Sequence, residues 1–395
     1  MTAHMNGGRL GGVALGILLV ASAPARAQTV TDAHTFLLSN NSVATGSIDR
    51  DREAALATSD TISRALRANL ATLPVTASSG AFVYRLNPAL GTVERATQSF
   101  GPFFVERALT AGRHQASVGM TFQHLHFTSL DGRSLRDGSL VTTANQFTDE
   151  SAPFDVDQLS LNIDASVATL YANVGVSDRV EVGVAAPFLA LQMDGSRVNT
   201  YRGREFTQAT ASARATGLAD LVVRTKYTLY DDRTTGLAAA VDVRLPTGRE
   251  QDLLGAGSAS VKLTAIGSME AGPLSAHANA GMTRGGLANE FSYGASLAYA
   301  ATRKVSVGAE LLGRWIDSSG HLLSTTAPHP LLSGVDTIRL AGDASSLQML
   351  SAVPGFKWNL SDTWVLAANV SIPLTSGGLT APITPFIGFD YALGK

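Results

Sequence analysis

The side chains in this sequence best placed to act together are charged pairs at even spacing: Arg224 with Lys226, Asp242 with Arg244, and Glu310 with Arg314. A period of two puts both members of a pair on one face of a β-strand. On a shared face such charges either hold one another in a network of ion pairs or present fixed charge to a passing solute. His124 and His126 have the same spacing and would offer a metal two imidazoles, but no third ligand lies near them. There is no Gly-x-Ser-x-Gly, no His-Glu-x-x-His and no phosphate loop. Glu181 with Asp178, and Asp231 with Asp232, read as turn acids and not as an acid/base pair. No catalytic residue, cofactor or metal site is expected.

The elements that must position these charges are strands. From Arg113 onward apolar and polar residues alternate: Leu159, Leu161, Ile163, Ala165, Val167, Thr169 and Tyr171 interleave with Ser160, Asn162, Asp164, Ser166 and Ala168. Leu221, Val223, Thr225 and Tyr227 alternate in the same way with Asp220, Arg224, Lys226 and Thr228. The pattern defines about twelve strands, at 114–127, 158–173, 180–192, 217–230, 236–246, 258–270, 274–284, 290–300, 305–316, 346–358, 363–374 and 382–393. Each supplies the ~9–11 residues that a tilted strand needs to cross a bilayer.

The connections also alternate. Those at 174–179, 231–235, 271–273, 301–304 and 359–362 are tight, and those at 128–157, 193–216, 247–257 and 317–345 are long. Short periplasmic turns and long outer loops are the habit of outer-membrane barrels. Tyr171, Tyr227, Tyr299, Trp358, Trp364 and Tyr391 fall at strand ends beside the short turns, the place for an interfacial aromatic girdle, and Trp315 sits at the other end. Val176-Ser177-Asp178-Arg179-Val180 recurs as Leu360-Ser361-Asp362-Thr363-Trp364. Pro187, Pro246 and Pro373 are expected at strand ends, because proline has no N–H for the ladder. The expected fold is all-β: a closed antiparallel transmembrane β-barrel of about 12 strands, since hydrocarbon leaves no unpaired sheet edge.

Composition narrows the alternatives. The 395 residues are 45% hydrophobic and 16% charged, with 38 glycines, no cysteine and a net charge of −2. Absent cysteine excludes disulfides, thiolate metal centres and thiol catalysis, and a balanced charge without basic clusters argues against a nucleic-acid partner. A positive start ending at Arg9, an apolar run from Leu10 to Val20 and the small residues Ala25-Arg26-Ala27 predict a signal peptide over 1–27, cleaved after Ala27. Its run is shorter than the ~20 residues of a membrane-spanning helix.

Residues 113–395 then form the barrel, and 28–112 form a partly helical N-terminal segment. Residues 49–73 carry apolar positions at Ala54, Leu56, Ile62, Leu66 and Leu70 at helical spacing, and 81–85 can pair with 92–99 as a hairpin. This segment is compatible with a plug in the barrel mouth, a periplasmic extension or a disordered tail. With Leu221, Val241, Leu263, Leu311 and Leu366 facing lipid, the opposite face collects Asp164, Asp220, Arg224, Lys226, Asp242, Arg244, Lys262, Glu310, Arg314, Asn369 and Asp390. These should line the lumen, because a midplane Arg or Lys on the lipid face costs ~2–4 kcal/mol.

The stretch from Gly217 to Tyr227, followed by Val243-Arg244-Leu245-Pro246-Thr247-Gly248-Arg249 and Leu254-Gly255-Ala256-Gly257, resembles the outer-membrane barrels of meta-pathway phenol degradation, relatives of the fatty-acid-transporter type. Ala309-Glu310-Leu311-Leu312-Gly313-Arg314 and the closing strand, with Gly388, Tyr391 and Leu393 in the slots of a barrel assembly signal, fit as well, although the chain ends in Gly394-Lys395 and not in an aromatic. The resemblance spans about residues 100–395. It implies an outer-membrane channel for passive movement of small, hydrophobic or aromatic compounds. The expected partners are outer-membrane lipid, the barrel-assembly machinery and a small-molecule solute. A barrel that binds a partner through its long outer loops is the alternative; a lipid-acting barrel enzyme would need a Ser and His at the outer rim, for which no motif is present.

Overall fold

The computed structural model describes residues 29–38, 62, 63, 66, 84–87, 92–95 and 97–393, except 233, 318–320, 330, 344 and 362. The expected signal peptide and most of the helix expected at 49–73 lie outside the described residues.

Twelve strands close into an antiparallel barrel. They are β1 (Ala116–Phe127), β2 (Asp155–Gly175), β3 (Val180–Tyr201), β4 (Leu221–Asp231), β5 (Thr235–Leu245), β6 (Ser260–Ala271), β7 (Leu274–Gly285), β8 (Glu290–Ala300), β9 (Val305–Ile316), β10 (Leu347–Ser361), β11 (Trp364–Pro373) and β12 (Thr384–Leu393). Each pairs with its neighbours in sequence, and β12 returns to β1 from Leu393 opposite Ala116 to Phe386 opposite Gln123. The ladder therefore runs the whole way round, which satisfies backbone groups that lipid cannot. All twelve lie where the alternation places them, and β3 runs on beyond its expected end.

The outer wall carries an apolar belt of Val118, Met120, Phe122, Leu170, Val184, Phe188, Val241, Leu263, Leu311 and Ile387, all exposed. Tyr227, Tyr299, Trp358 and Trp364 are exposed at its short-turn edge, and the Tyr391 ring lies 4.8 Å from that of Trp364. Tyr171 departs from the expected girdle. It sits on the inward parity of β2, buried over Gly119, and its hydroxyl donates to Asp390. In the short turn after β4, Asp232 accepts the N–H groups of Thr234 (2.7 Å) and Thr235 (2.6 Å), which hold its carboxyl well below the usual carboxylate range.

The long connections are not irregular loops. The segment expected as a loop at 193–216 is a continuation of β3 that turns through Arg202-Gly203, both at positive φ (47° and 77°), and returns as the strand Arg204–Leu218. Arg-Gly is not among the commonest turn pairs, and the small residues Ala209, Ala213 and Ala215 blur the alternation. Pro187, expected at a strand end, lies within β3 where its partner changes from β4, last paired at Ala185, to Arg204–Leu218, first paired at Phe188. The missing N–H falls at that handover. The strand Val141–Phe147 joins β2 to the hairpin of Leu322–Pro328 and Val335–Gly342, so two long connections share one sheet above the barrel.

Inside this end of the barrel the wall of β2 and β3 is mostly apolar, with Asp157 and Arg197 buried beside it. Leu159, Leu161, Ile163, Ala165 and Val167 of β2 and Leu189, Leu191 and Met193 of β3 are buried against α1 (Val30–Leu38), with Val30, Ala33, Leu37, Ile62 and Leu66 in the same cluster. Helix α1 was not legible as a helix. Its start is a reciprocal cap, in which Thr29 N donates to Asp32 Oδ2 (3.2 Å) and Asp32 N to Thr29 Oγ1 (3.0 Å). The hairpin expected at 81–99 is present as Tyr84–Asn87 against Thr92–Arg95.

Candidate functional site

Residues 97–112 lack regular structure and are mostly buried, Ser99, Phe100, Arg107 and Ala108 almost completely. A buried irregular segment must find acceptors for its N–H groups, and here the barrel wall supplies them. The segment enters at the short-turn end, where Ser99 Oγ lies 2.7 Å from Ser275 Oγ and Phe100 N donates to Ser306 Oγ (3.1 Å). At its deepest point Glu310 of β9 accepts from the N–H groups of Phe103, Phe104 (2.9 Å) and Val105 (3.0 Å). Lys357 of β10 donates to the carbonyls of Pro102 (2.5 Å) and Phe100 (3.3 Å).

The segment then turns back. Ala108 N donates to Ser268 Oγ (2.8 Å), Thr228 Oγ1 donates to Ala108 O (2.8 Å), and Ala111 N donates to Glu181 Oε2 (2.6 Å). It leaves past Gly175, where an added Cβ would fall 1.8 Å from the Gly112 carbonyl oxygen, so only glycine admits the crossing. The result is a strap folded into the lumen from the short-turn end.

The polar residues singled out from sequence differ in where they sit. Arg224 is ion-paired with Asp242 (Nη2 to Oδ2, 2.6 Å) and with Glu106 of the strap; Lys226 lies 3.4 Å from Glu181; Arg314 is held by Glu290 (2.5 Å). Arg244 and Lys262 line the same inner wall, while Asn369 and Asp390 are buried on the inner faces of β11 and β12, Asp390 accepting from Tyr171. Asp220 anchors a connection, accepting from Gly248 N (3.0 Å) and Ala256 N (2.8 Å).

Asp164 does not face the lumen. It shares the outward parity of Leu170 and pairs with His126 (2.5 Å), beside Arg136 and Asn162. The reason is that the apolar residues of β2 near the long connections turn inward to meet α1, so the polar ones turn out above the apolar belt. His124 likewise meets Ser166 (2.9 Å), and no three metal-binding side chains converge among the described residues.

Glu106 and Lys357 were not among the expected site residues, and Glu181, expected as a turn acid, is a buried wall residue. For Lys357 a signal existed, since it alternates with the exposed Phe356 and Trp358.

Between the strap and the long connections lie two adjoining cavities, of about 230 Å³ and about 130 Å³. Phe104, Leu312 and Arg314 line both. The larger has the charged wall of Arg224, Asp242, Arg244, Lys262 and Glu290, and the smaller is bounded by Leu125, Phe127, Met349, Leu350 and Leu379.

A sequence model of the family described as "Putative MetA-pathway of phenol degradation" matches residues 137–378. Among solved structures the chain is similar to an outer membrane channel from Pseudomonas putida F1, at 13% identity and a TM-score of 0.44, over 72% of this chain and 98% of that one. It is similar to the toluene transporter TbuX of Ralstonia pickettii at 9% identity and a TM-score of 0.29, over 71% of this chain and 90% of that one. No curated protein matches.

Proposed function

Because this chain belongs to the outer-membrane barrel family described as "Putative MetA-pathway of phenol degradation", we propose that it is a channel for passive movement of small hydrophobic or aromatic compounds across the outer membrane. The observation that carries the reading is the pair of adjoining cavities held inside a closed barrel wall, one end of them stopped by the strap. A twelve-stranded barrel is wider than the eight-stranded kind that its own side chains fill. This lumen is filled at one end by the strap, and the cavities lie beyond it.

On this reading the N-terminal segment is a plug, exported with the chain behind its signal peptide and seated by polar contacts with the wall. Passage needs the strap to shift, and the wall charges hold it in register. Uptake of radiolabelled toluene by cells producing the protein, compared with cells lacking it, tests the reading, because a lipopolysaccharide leaflet slows apolar solutes. Faster uptake is expected; equal uptake contradicts it.

A further inference from the structure

Six connections join the strands at the end of the barrel away from the strap's entry, and five of them fold inward. Leu130, Ala213, Leu254, Leu322 and Leu379, one from each, are buried in the apolar cluster that surrounds α1. The sixth is different. The turn between β7 and β8 runs only from Gly286 to Asn289, and among the described residues none of these belongs to that cluster. So short a turn cannot reach across the lumen, and the rim is lowest there. It leans sideways instead: Gly285 and Gly286 are both at positive φ (84° and 70°), and Gly286 N donates to Ala259 O beside the start of β6 (2.9 Å).

The larger cavity reaches this turn. Gly285, Gly286, Leu287 and Ala288 line it at the rim, and Phe104 to Glu106 of the strap line it at the other end. Exposure falls along the way. On the inward faces of β7 and β8, Thr283, Glu290 and Ser292 near the turn keep partial exposure, whereas Ser275, His277 and Ser296 nearer the short turns are buried. Gly281 keeps the way clear, because an added Cβ would fall 2.8 Å from Lys262 Cε and 3.1 Å from Ser292 Oγ. We infer that solutes reach the larger cavity through a mouth beside the β7–β8 turn, and that Leu287, the one large apolar side chain of that turn, sets the width of what is admitted. The inference rests on the channel reading and gives its route a starting point. An apolar doorway favours a compact solute with an apolar face, since a strongly hydrated one must shed water to pass.

Thr264 is buried in the wall of this cavity, one inward position deeper on β6 than Lys262, so Thr264→Cys in a cysteine-free chain reports access to it. The full chain in detergent is treated with methyl methanethiosulfonate, and the mixed disulfide is followed by mass, with heat-modifiable migration showing that each variant is folded. The thiol should react. Adding Leu287→Trp should slow the reaction about tenfold, the effect of a barrier raised by about 1.4 kcal/mol, and Leu287→Ala should speed it. Leu332→Trp, in an exposed long connection, should do neither. Equal rates in all four proteins, or a thiol that never reacts, overturn the inference, as does slowing by Leu332→Trp as large as that by Leu287→Trp. Toluene uptake decides the channel reading separately: if uptake fails while the dependence on Leu287 holds, the mouth stands and the channel reading falls.

Discussion

Arg224 in the wall of the barrel is ion-paired with Glu106 of the strap, a partner 118 residues away in the chain. The same guanidinium holds Asp242 on the neighbouring strand. One side chain thus ties the wall to itself and the plug to the wall, and the two functions separate by substitution.

Glu106→Gln removes the strap's charge and leaves Arg224 with Asp242. The barrel should insert and keep its heat-modifiable migration, while conductance in planar bilayers rises as the strap loosens. Arg224→Ala strands two buried carboxylates, a change that costs about 3–5 kcal/mol when a buried pair is broken. Combined with Arg244→Ala it should shift ion preference without preventing insertion, since neither residue meets lipid. A lower unfolding temperature with unchanged selectivity would mean that these charges only scaffold the wall.

Glu310→Ala deprives Phe103, Phe104 and Val105 of their acceptor. Each buried N–H left unpaired costs about 1–3 kcal/mol. Hydrogen exchange at these three amides should accelerate strongly, with the β9 ladder still protected. Unchanged exchange would place the strap's stability elsewhere.

Gly119 lies under the Tyr171 ring, whose nearest atoms would be 2.3 Å from an added Cβ. Gly119→Val should push Tyr171 off Asp390 across the seam where β12, β1 and β2 meet. Overpacking of this kind costs about 1–3 kcal/mol. The temperature at which the folded band converts on a gel should fall, and Tyr171→Phe, which keeps the ring, should lower it less.

The chain has no cysteine, so single cysteines report topology cleanly. Cysteines at Asp149 and Leu332, both exposed in long connections, should react with an impermeant maleimide on intact cells, and one at Arg303 in a short turn should not. The reverse pattern would invert the orientation.

The barrel was legible because a strand in lipid must alternate, and Val241, Leu263 and Leu311 do so against charged neighbours. The inner charges of β4, β5, β6 and β9 followed from the same parity. Asp164 did not, because alternation shows that two faces differ but not which one points inward, and α1 reverses the usual choice near the long connections. The strap was illegible for another reason. Phe100 to Gly112 has no period, and its partners Glu181, Ser268, Glu310 and Lys357 are distant wall residues that only the closed barrel brings together.

If the strap gates the lumen, a reversible tether between strap and wall should close it. Ala108 N lies 2.8 Å from Ser268 Oγ, so Ala108→Cys with Ser268→Cys places two thiols at a strap-to-wall contact in an otherwise cysteine-free chain. Single-channel conductance is recorded in one bilayer under oxidant and then after reductant. The expected result is loss of conductance on oxidation and its recovery on reduction, with neither single variant responding. Conductance that is the same in both redox states, with the disulfide verified by mass, would mean that the strap does not gate the lumen.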